Sequence, residues 1–251
     1  MPRHRPDSPT AARAFCVVRD RVPAEVAARA AARFGLPQDG MGAARVAAAV
    51  LLPGADREGV RLAFDQRVFF TVELTEEEDA ADWAAADWLG APPVEPGFYL
   101  SLTTGTAYGL QCAALVCDEL ARRGVLTGER RGNVELCLHE AVANAIVHGN
   151  LGISSAAKNQ PEGHRLFSRL LRDRLGDRAI RRRRLDIFAR WGGDGLSVAV
   201  LDQGGGFDTA CLPTGSAGGA RSGRGFLFMQ ALAARVRVTD GGRCTVLHFA
   251  P

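Results

Sequence analysis

The clearest periodic pattern of apolar and polar positions lies between residues 133 and 150, NVELCLHEAVANAIVHGN. Three polar residues recur there at every fourth position, which places them on one face of a helix: Glu140, Asn144 and His148. Apolar residues fill the opposite face, as in a helix packed against a core: Val134, Leu138, Ala141, Val142 and Ala145. By itself, a stripe with a carboxylate, an amide and an imidazole fits a ligand-binding face or a half-buried helix with capped polar groups.

The first third of the chain forms a region of its own in this pattern. Runs of β-branched and aromatic residues predict strands, and apolar spacing behind a capped or acidic first turn predicts helices. No chemical motif occurs in this region, so we predict a small α/β region, residues 1–92, with an interaction or sensory role. The predicted segments are strands at 13–18 and 68–72, helices at 24–34 and 75–88, and an apolar run at 45–52 that fits either structure.

Three prolines within residues 90–97 resist both helix and sheet, so this segment is predicted to be a linker. Residues 98–251 then alternate strands and helices and are predicted to form a second domain. The sharpest local signal is the turn Gly192-Gly-Asp-Gly195 between two alternating strands, which indicates a hairpin. The predicted elements are strands at 98–102, 185–191, 196–201, 236–239 and 244–249, and helices at 108–123, 133–150, 162–175 and 226–234.

Charge and composition narrow the classes of function. The 251 residues carry a formal net charge of +3, too small to indicate a nucleic-acid or membrane partner by bulk electrostatics. A basic cluster, Arg178 with Arg181 to Arg184, fits a solvated helix end before a strand; the alternative is a DNA-binding regulator that uses this cluster. The six cysteines lack zinc-site spacing, and the first residues lack the apolar segment of a signal peptide, so we predict a cytoplasmic protein.

Two glycine-rich motifs complement the polar stripe. DQGGGF, residues 202–207, follows a predicted strand, where glycines let the backbone turn sharply and approach a ligand closely. GRG, residues 223–225, opens a predicted helix, where free N–H groups and the positive end of the helix dipole suit a phosphate. Neither the GxxxxGKS/T pattern nor GxGxxG after a strand occurs, which excludes a P-loop site and a Rossmann site.

The ordered set of HEAVANAIVHGN, DQGGGF and SGRGFLF resembles the nucleotide-binding boxes of the GHKL ATPases, which share the Bergerat ATP-binding fold. The likeness covers roughly residues 98–249. It is closest to the RsbW-like anti-sigma factor serine/threonine kinases, because the boxes stand in one short domain and HGN closes the first of them. The resemblance implies an α+β fold, a two-layer sandwich of a mixed sheet covered by helices on one face.

The resemblance also implies ATP and Mg²⁺ as cofactors and a role for each motif. Asn144 would bind Mg²⁺ through its amide oxygen, and Glu140 would orient or deprotonate the attacking hydroxyl. Asp202 would accept a hydrogen bond from the adenine amino group. The other ligand-side residues are the glycines beside the base, the phosphate-binding turn and a late threonine: Gly204, Gly206, Gly223, Arg224, Gly225 and Thr245.

The leading interpretation is Mg-ATP-dependent phosphorylation of a serine or threonine on a protein partner, in anti-sigma or partner-switching control. The partner would resemble an anti-sigma factor antagonist or a sigma-type factor. The resemblance also implies a homodimer. The sequence itself predicts no membrane partner and does not favour a nucleic-acid partner. The alternative is an ATP-dependent binding switch without phosphoryl transfer, since a pure binder can also retain Glu140.

Overall fold

The computed structural model describes residues 14–17, 46–51, 53–65, 67, 69–75, 96–155, 162–207 and 224–251. Its strands are β1 Ala14–Val17, β2 Val46–Leu51, β3 Phe70–Glu73, β4 Gly97–Thr103, β5 Arg184–Gly192, β6 Gly195–Asp202, β7 Arg235–Thr239 and β8 Cys244–Phe249. They form one mixed sheet in the order β1-β2-β3-β4-β5-β6-β8-β7. The first four strands pair in parallel and the remaining pairs are antiparallel.

The described helices pack on one face of this sheet. They are α1 Arg57–Asp65, α2 Thr104–Gly109, α3 Cys112–Arg122, α4 Gly128–Ala143, α5 Gly163–Gly176, α6 Arg178–Arg182 and α7 Arg224–Leu232, with π-helical turns over Asn144–Asn150 after α4. Each of them contributes apolar side chains to one core, together with the inward residues of the central strands. The α+β sandwich expected from the sequence is therefore confirmed.

The strands of the first region extend the same sheet. β3 pairs in parallel with β4, and Ala49, Leu51 and Phe64 lie in the same core as the helices of the second region. The strands predicted at 13–18 and 68–72 correspond to β1 and β3, and the ambiguous run at 45–52 is a strand. The predicted helix at 24–34 lies outside the described residues, as do the predicted helix at 75–88 apart from residue 75 and the predicted linker at 90–97 apart from residues 96 and 97.

Helix α1, Arg57–Asp65, is not among the elements that the sequence predicts. The structure gives a capped helix there, since Asp56 accepts a hydrogen bond from the Gly59 backbone N–H at 2.8 Å. Val60, Ala63 and Phe64 then recur at helical spacing and are buried in the core. A run of only nine residues, with strand-forming residues directly after it, is too short for periodicity to decide between helix and strand.

The prediction of one helix over residues 108–123 is wrong. Helix α2 ends at Gly109, and Leu110 is extended with φ −100° and ψ 148°, so α3 begins a new helix at Cys112. Glycine is a poor helix former, and its position next to an extended residue provides the break. The bend directs α2 toward the end of β4 and α3 along the core.

The helix predicted over residues 133–150 changes its winding after Ala143. It is α-helical to Ala143 and π-helical from Asn144, and the Leu151 N–H donates to the carbonyl of Ile146 five residues earlier at 2.8 Å. A π-helical turn holds more residues than an α-helical turn, so the spacing of four residues between Asn144 and His148 is no longer that of an α-helix. The Nδ1–H of His148 donates to the carbonyl of Ile153 at 2.5 Å, which ties the helix end to the following loop.

The sheet face away from the helices carries buried charge. Arg184 is 3% exposed; its guanidinium donates to Ser101 Oγ at 3.0 Å and to the carbonyl of Glu73 at 2.9 Å. Asp186 accepts hydrogen bonds from Tyr99 at 2.8 Å and Ser101 at 2.5 Å, and burial raises the pKa of its carboxyl. The prediction that Arg184 belongs to a solvated helix end is therefore wrong. Because side chains alternate between the two faces of a strand, Arg184 lies on the buried face opposite to that of Leu185.

Among the residues that the structure describes, no helix is both long and apolar enough to cross a membrane.

Core packing along α4 gives a prediction about stability. Leu138 is fully buried in the core, whereas Leu136 on the same helix is 40% exposed. We expect Leu138→Ala to lower the free energy of unfolding by about 3 kcal/mol, because the cavity adds to the lost apolar burial. Leu136→Ala, the matched control, should change it by less than about 0.5 kcal/mol. Urea unfolding followed by circular dichroism measures both, and equal losses would contradict the placement of α4.

Candidate functional site

The site is built around Asn150, which is fully buried where the π-helical turns end. Its side-chain amide donates to Thr104 Oγ1 at 2.8 Å and to the carbonyl of Arg184 at 2.9 Å. Its side-chain oxygen accepts the backbone N–H of Gln203 at 2.8 Å. One side chain therefore joins the helix end, the start of α2, the start of β5 and the loop after β6. We call this set of contacts the Asn150 clamp.

Asp202 lies at the end of β6, against the glycine that precedes Asn150. A Cβ on Gly149 would collide with the Asp202 carboxylate, so the residue at this position has to be glycine for the two segments to pack. The Asp202 carboxylate accepts the backbone N–H of Gly204 at 2.8 Å. Gly204 in turn lies against the Gly149 backbone, where a side chain would not fit. The first and second motifs of the sequence are thus in direct contact.

The environment of Asp202 changes its acidity. Partial burial raises the pKa of Asp202 to about 6, and Asp240 adds to this rise, whereas the hydrogen bond from Gly204 and the charges of Arg243 and Arg183 lower the pKa. Carboxyl groups with raised pKa values are common at functional sites, because ligand binding needs a polar group in a desolvated position.

The glycine loop after Asp202 packs against the turn between β7 and β8. Gly206 has φ +70°, and the N–H of Phe207 donates to the carbonyl of Gly241 at 2.9 Å. Thr245 lies on β8 opposite Val200, two residues before Asp202 on the neighbouring strand. Because alternate residues share a face, Thr245 and Asp202 lie on the helix-covered side as diagonal neighbours.

Glu140 lies beside the first turn of α7. A Cβ on Gly225 would collide with the Glu140 carboxylate, whose Cδ would be 2.9 Å away, so only glycine lets α7 begin this close to α4. Asn144 is one turn after Glu140 on the same helix. Among the described residues, neither side chain makes a hydrogen bond or an ion pair, and both are partly exposed. They are therefore free to face a ligand at the start of α7.

The structure thus brings Glu140 next to Gly225, and Asp202 next to Gly204 with Thr245 nearby. Gly223 and the side chain of Arg224 lie outside the described residues, although the backbone of Arg224 begins α7. The sequence interpretation assigned no role to Asn150, Thr104 and Gln203, whose polar groups hold the pieces together. The sequence signal for Asn150 is its place at the end of the HGN motif. The structure shows that its amide is fully buried, and a buried amide needs partners for its polar atoms.

Comparison with known families agrees with this arrangement. A family model described as histidine kinase-like ATPase domain matches residues 107–250, more than half of the chain. The chain belongs to this family of ATPase domains. A search of curated proteins finds no match to the chain. As a histidine kinase-like, GHKL-type ATPase domain, the matched segment binds ATP, and it contains all the contacts of Glu140, Asp202 and Gly225 described above.

Asn144, directly after α4, carries a group that fits a magnesium ion. The described residues contain no group of three or more His, Cys, Asp or Glu side chains that could hold a metal. The amide oxygen of Asn144 is, however, an oxygen donor of the kind that Mg²⁺ prefers, and Mg²⁺ commonly takes few protein ligands beside nucleotide phosphates. A protein-only metal centre is not needed in this histidine kinase-like domain.

The raised pKa of Asp202 gives a prediction about stability against pH. Because the folded state holds this proton more tightly than the unfolded chain, stability falls as the pH rises from the ordinary value of 3.8 through about 6. We expect Asp202→Asn to be more stable than the wild type by about 1 kcal/mol at pH 7.5, a value reduced for partial exposure. The difference should shrink toward zero at pH 4.5.

Urea unfolding at the two pH values measures this difference. Asp194→Asn, in the exposed turn between β5 and β6, is the matched control and should show no such pH dependence. A wild type and an Asp202→Asn variant of equal stability at pH 7.5 would refute the assignment of a desolvated carboxylate.

Proposed function

We propose that the domain uses Mg-ATP to phosphorylate a serine or threonine of a protein partner. The observation that carries this proposal is the contact of Glu140 with Gly225, which puts a partly exposed carboxylate at the start of α7. A helix start is where the phosphates of a nucleotide would bind, through backbone N–H groups and the helix dipole. A base at that position is within reach of a hydroxyl that attacks the terminal phosphate.

Each group has a distinct part in this reaction. Asp202, ionised at neutral pH, would accept a hydrogen bond from the adenine amino group, and Gly204 and Gly206 keep the nearby loop free of side chains. The backbone amides of residues 223–225 would hold the phosphates, and the charge of Arg224 would add to them. Thr245 would support the adenine end from β8.

Phosphoryl transfer depends on positioning and on charge compensation more than on covalent chemistry by the protein. Mg²⁺, bound through the amide oxygen of Asn144, would neutralise phosphate charge in the transition state. Glu140 would orient the partner's hydroxyl and accept its proton as the oxygen attacks the terminal phosphorus. The bond between that phosphorus and the bridging oxygen breaks, and ADP leaves.

We further propose that the substrate is a regulator of the anti-sigma antagonist type, and that the domain acts in partner switching with a sigma-type factor. This rests on the likeness of residues 98–249 to RsbW-like kinases, in which the HGN sequence closes the first box. A homodimer and a cytoplasmic location belong to the same proposal. In the alternative function, ATP changes the affinity for the partner and no phosphoryl group is transferred.

Labelled ATP separates the two functions. The protein is incubated with Mg-ATP and a candidate antagonist, and label on the antagonist is measured. We expect Glu140→Gln to lower the rate at least about 100-fold, because general-base catalysis contributes on this order, while ATP affinity changes less than threefold. Glu135→Gln is the matched control on the same helix and should leave the rate unchanged.

A rate that survives in Glu140→Gln would refute the role of this residue. Nucleotide-dependent capture of the antagonist without label would favour the switch.

A further inference from the structure

A cavity of about 370 Å³ lies outside the residues assigned to ATP. Gly54, Glu73 and Thr106 line one side of it, and Arg178, Arg181 and Arg182 line the other. We call it the arginine cleft. Gly54 follows β2, Glu73 ends β3, and Thr106 follows β4, so the cleft opens at the carboxyl ends of three parallel strands. Ligands of open α/β sheets bind at this edge, because the chain leaves the sheet there and forms a crevice.

The carboxylate of Glu73 is held in the wall of the cleft by hydrogen bonds. Glu73 is fully buried, and its carboxylate accepts the N–H of Gly54 at 2.7 Å, the N–H of Thr103 at 2.7 Å and the hydroxyl of Thr106 at 2.5 Å. These donors hold the carboxylate in the wall of the cleft. The carboxylate therefore ties the end of β3 to the segments that follow β2 and β4.

The basic side is held in place by the fold. Asp177 caps the short helix α6 by accepting the N–H of Ala179 at 2.8 Å, which orients the arginines that follow. Arg181 lies across Gly105, where a Cβ would come within 2.9 Å of its Nε, so glycine permits this close approach. Three arginine residues therefore line the cleft.

We propose that the arginine cleft binds a small organic anion, one that carries a phosphate or carboxylate group. The planar guanidinium matches both groups through paired N–H donors. The cavity volume falls in the range of small-molecule sites. A concave cavity at a sheet edge suits such a molecule, whereas a nucleic-acid duplex needs an extended basic surface, and Arg184 of the same cluster is turned into the sheet.

The Asn150 clamp connects this cleft to the ATP site. Thr104, between the cleft residues Thr103 and Gly105, accepts a hydrogen bond from Asn150 at 2.8 Å. Arg183, next to Arg182, donates to the carbonyl of Asn150 at 2.6 Å. Asn150 in turn holds Gln203, the neighbour of Asp202. The bound anion is therefore an effector that changes ATP affinity, and by linkage ATP changes the affinity for the anion by the same factor.

Calorimetric titration of the full chain tests binding. The probes are glycerol 3-phosphate and succinate, with ADP and Mg²⁺ in excess so that the ATP site is occupied. We expect saturable binding of one anion per chain for at least one probe, weakened at least tenfold in Arg181→Gln. Arg169→Gln, on the exposed surface of α5 outside the cleft, is the matched control and should change the affinity less than twofold.

A second titration tests the link. The affinity for ATP is measured with and without the saturating anion, and we expect at least a fivefold change, the lower end of allosteric coupling. Arg181→Gln should bind ATP as the wild type does but lose the response to the anion. This outcome is independent of phosphoryl transfer, so it holds or fails separately from the kinase proposal.

Several results would overturn the proposal. They are the absence of saturable binding of either probe, full retention of binding in Arg181→Gln, and an ATP affinity that the anion leaves unchanged. A DNA duplex that binds with steep salt dependence, and is weakened by Arg181→Gln while neither probe binds, would assign the cluster to nucleic acid instead.

Discussion

The buried amide of Asn150 is the constraint on which the site depends. The pieces that face the nucleotide run from Glu140 to Thr245, more than a hundred residues apart in sequence, and apolar packing alone does not fix their relative positions. Asn150 uses both polar ends of its side chain, donating to Thr104 and Arg184 and accepting from Gln203. A fully buried amide that lost any of these partners would carry an uncompensated desolvation cost of about 1–3 kcal/mol per group. The folded state is therefore stable with one arrangement of these segments.

Around this clamp, glycines allow neighbouring segments of the chain to pack in direct contact. Gly149 and Gly204 let the helix end lie against the loop after β6, and Gly225 lets α7 begin against Glu140. The same proximity desolvates Asp202 and raises its pKa to about 6. The ionised, desolvated carboxylate of Asp202 thus lowers the free energy of unfolding at neutral pH, a cost that is common at functional sites.

Much of the fold follows from local sequence signals. Gly195 has φ +105° in the predicted hairpin turn, and β5 and β6 pair as antiparallel strands on either side of it. The closing hairpin around Gly241 and the buried face of α4 also follow from alternation and helical spacing. These elements could be predicted because their determinants lie within a few residues of each other.

The remaining features depend on contacts between distant parts of the chain. The break at Leu110 and the π-helical turns from Asn144 change the path of a helix without altering its apolar period. The burial of the Arg184 side chain requires Ser101 and Glu73 as hydrogen-bond partners, and strand pairing brings these residues next to it. For the site, Glu140 and Asp202 were visible as motifs, whereas the clamp was not, since Asn150 and its three partners come from separate elements.

The most direct measurement is a titration of the purified chain with ATP, with and without Mg²⁺, beside the variant Asn144→Ala. Asn133→Ala is the matched control, since Asn133 is exposed on the same helix. We expect Mg²⁺-dependent binding in the wild type and in Asn133→Ala, and a loss of affinity of at least about tenfold in Asn144→Ala, as for removal of a group that holds a metal. Equal affinity of all three proteins for Mg-ATP, or no binding by the wild type, would contradict a nucleotide site between α4 and α7.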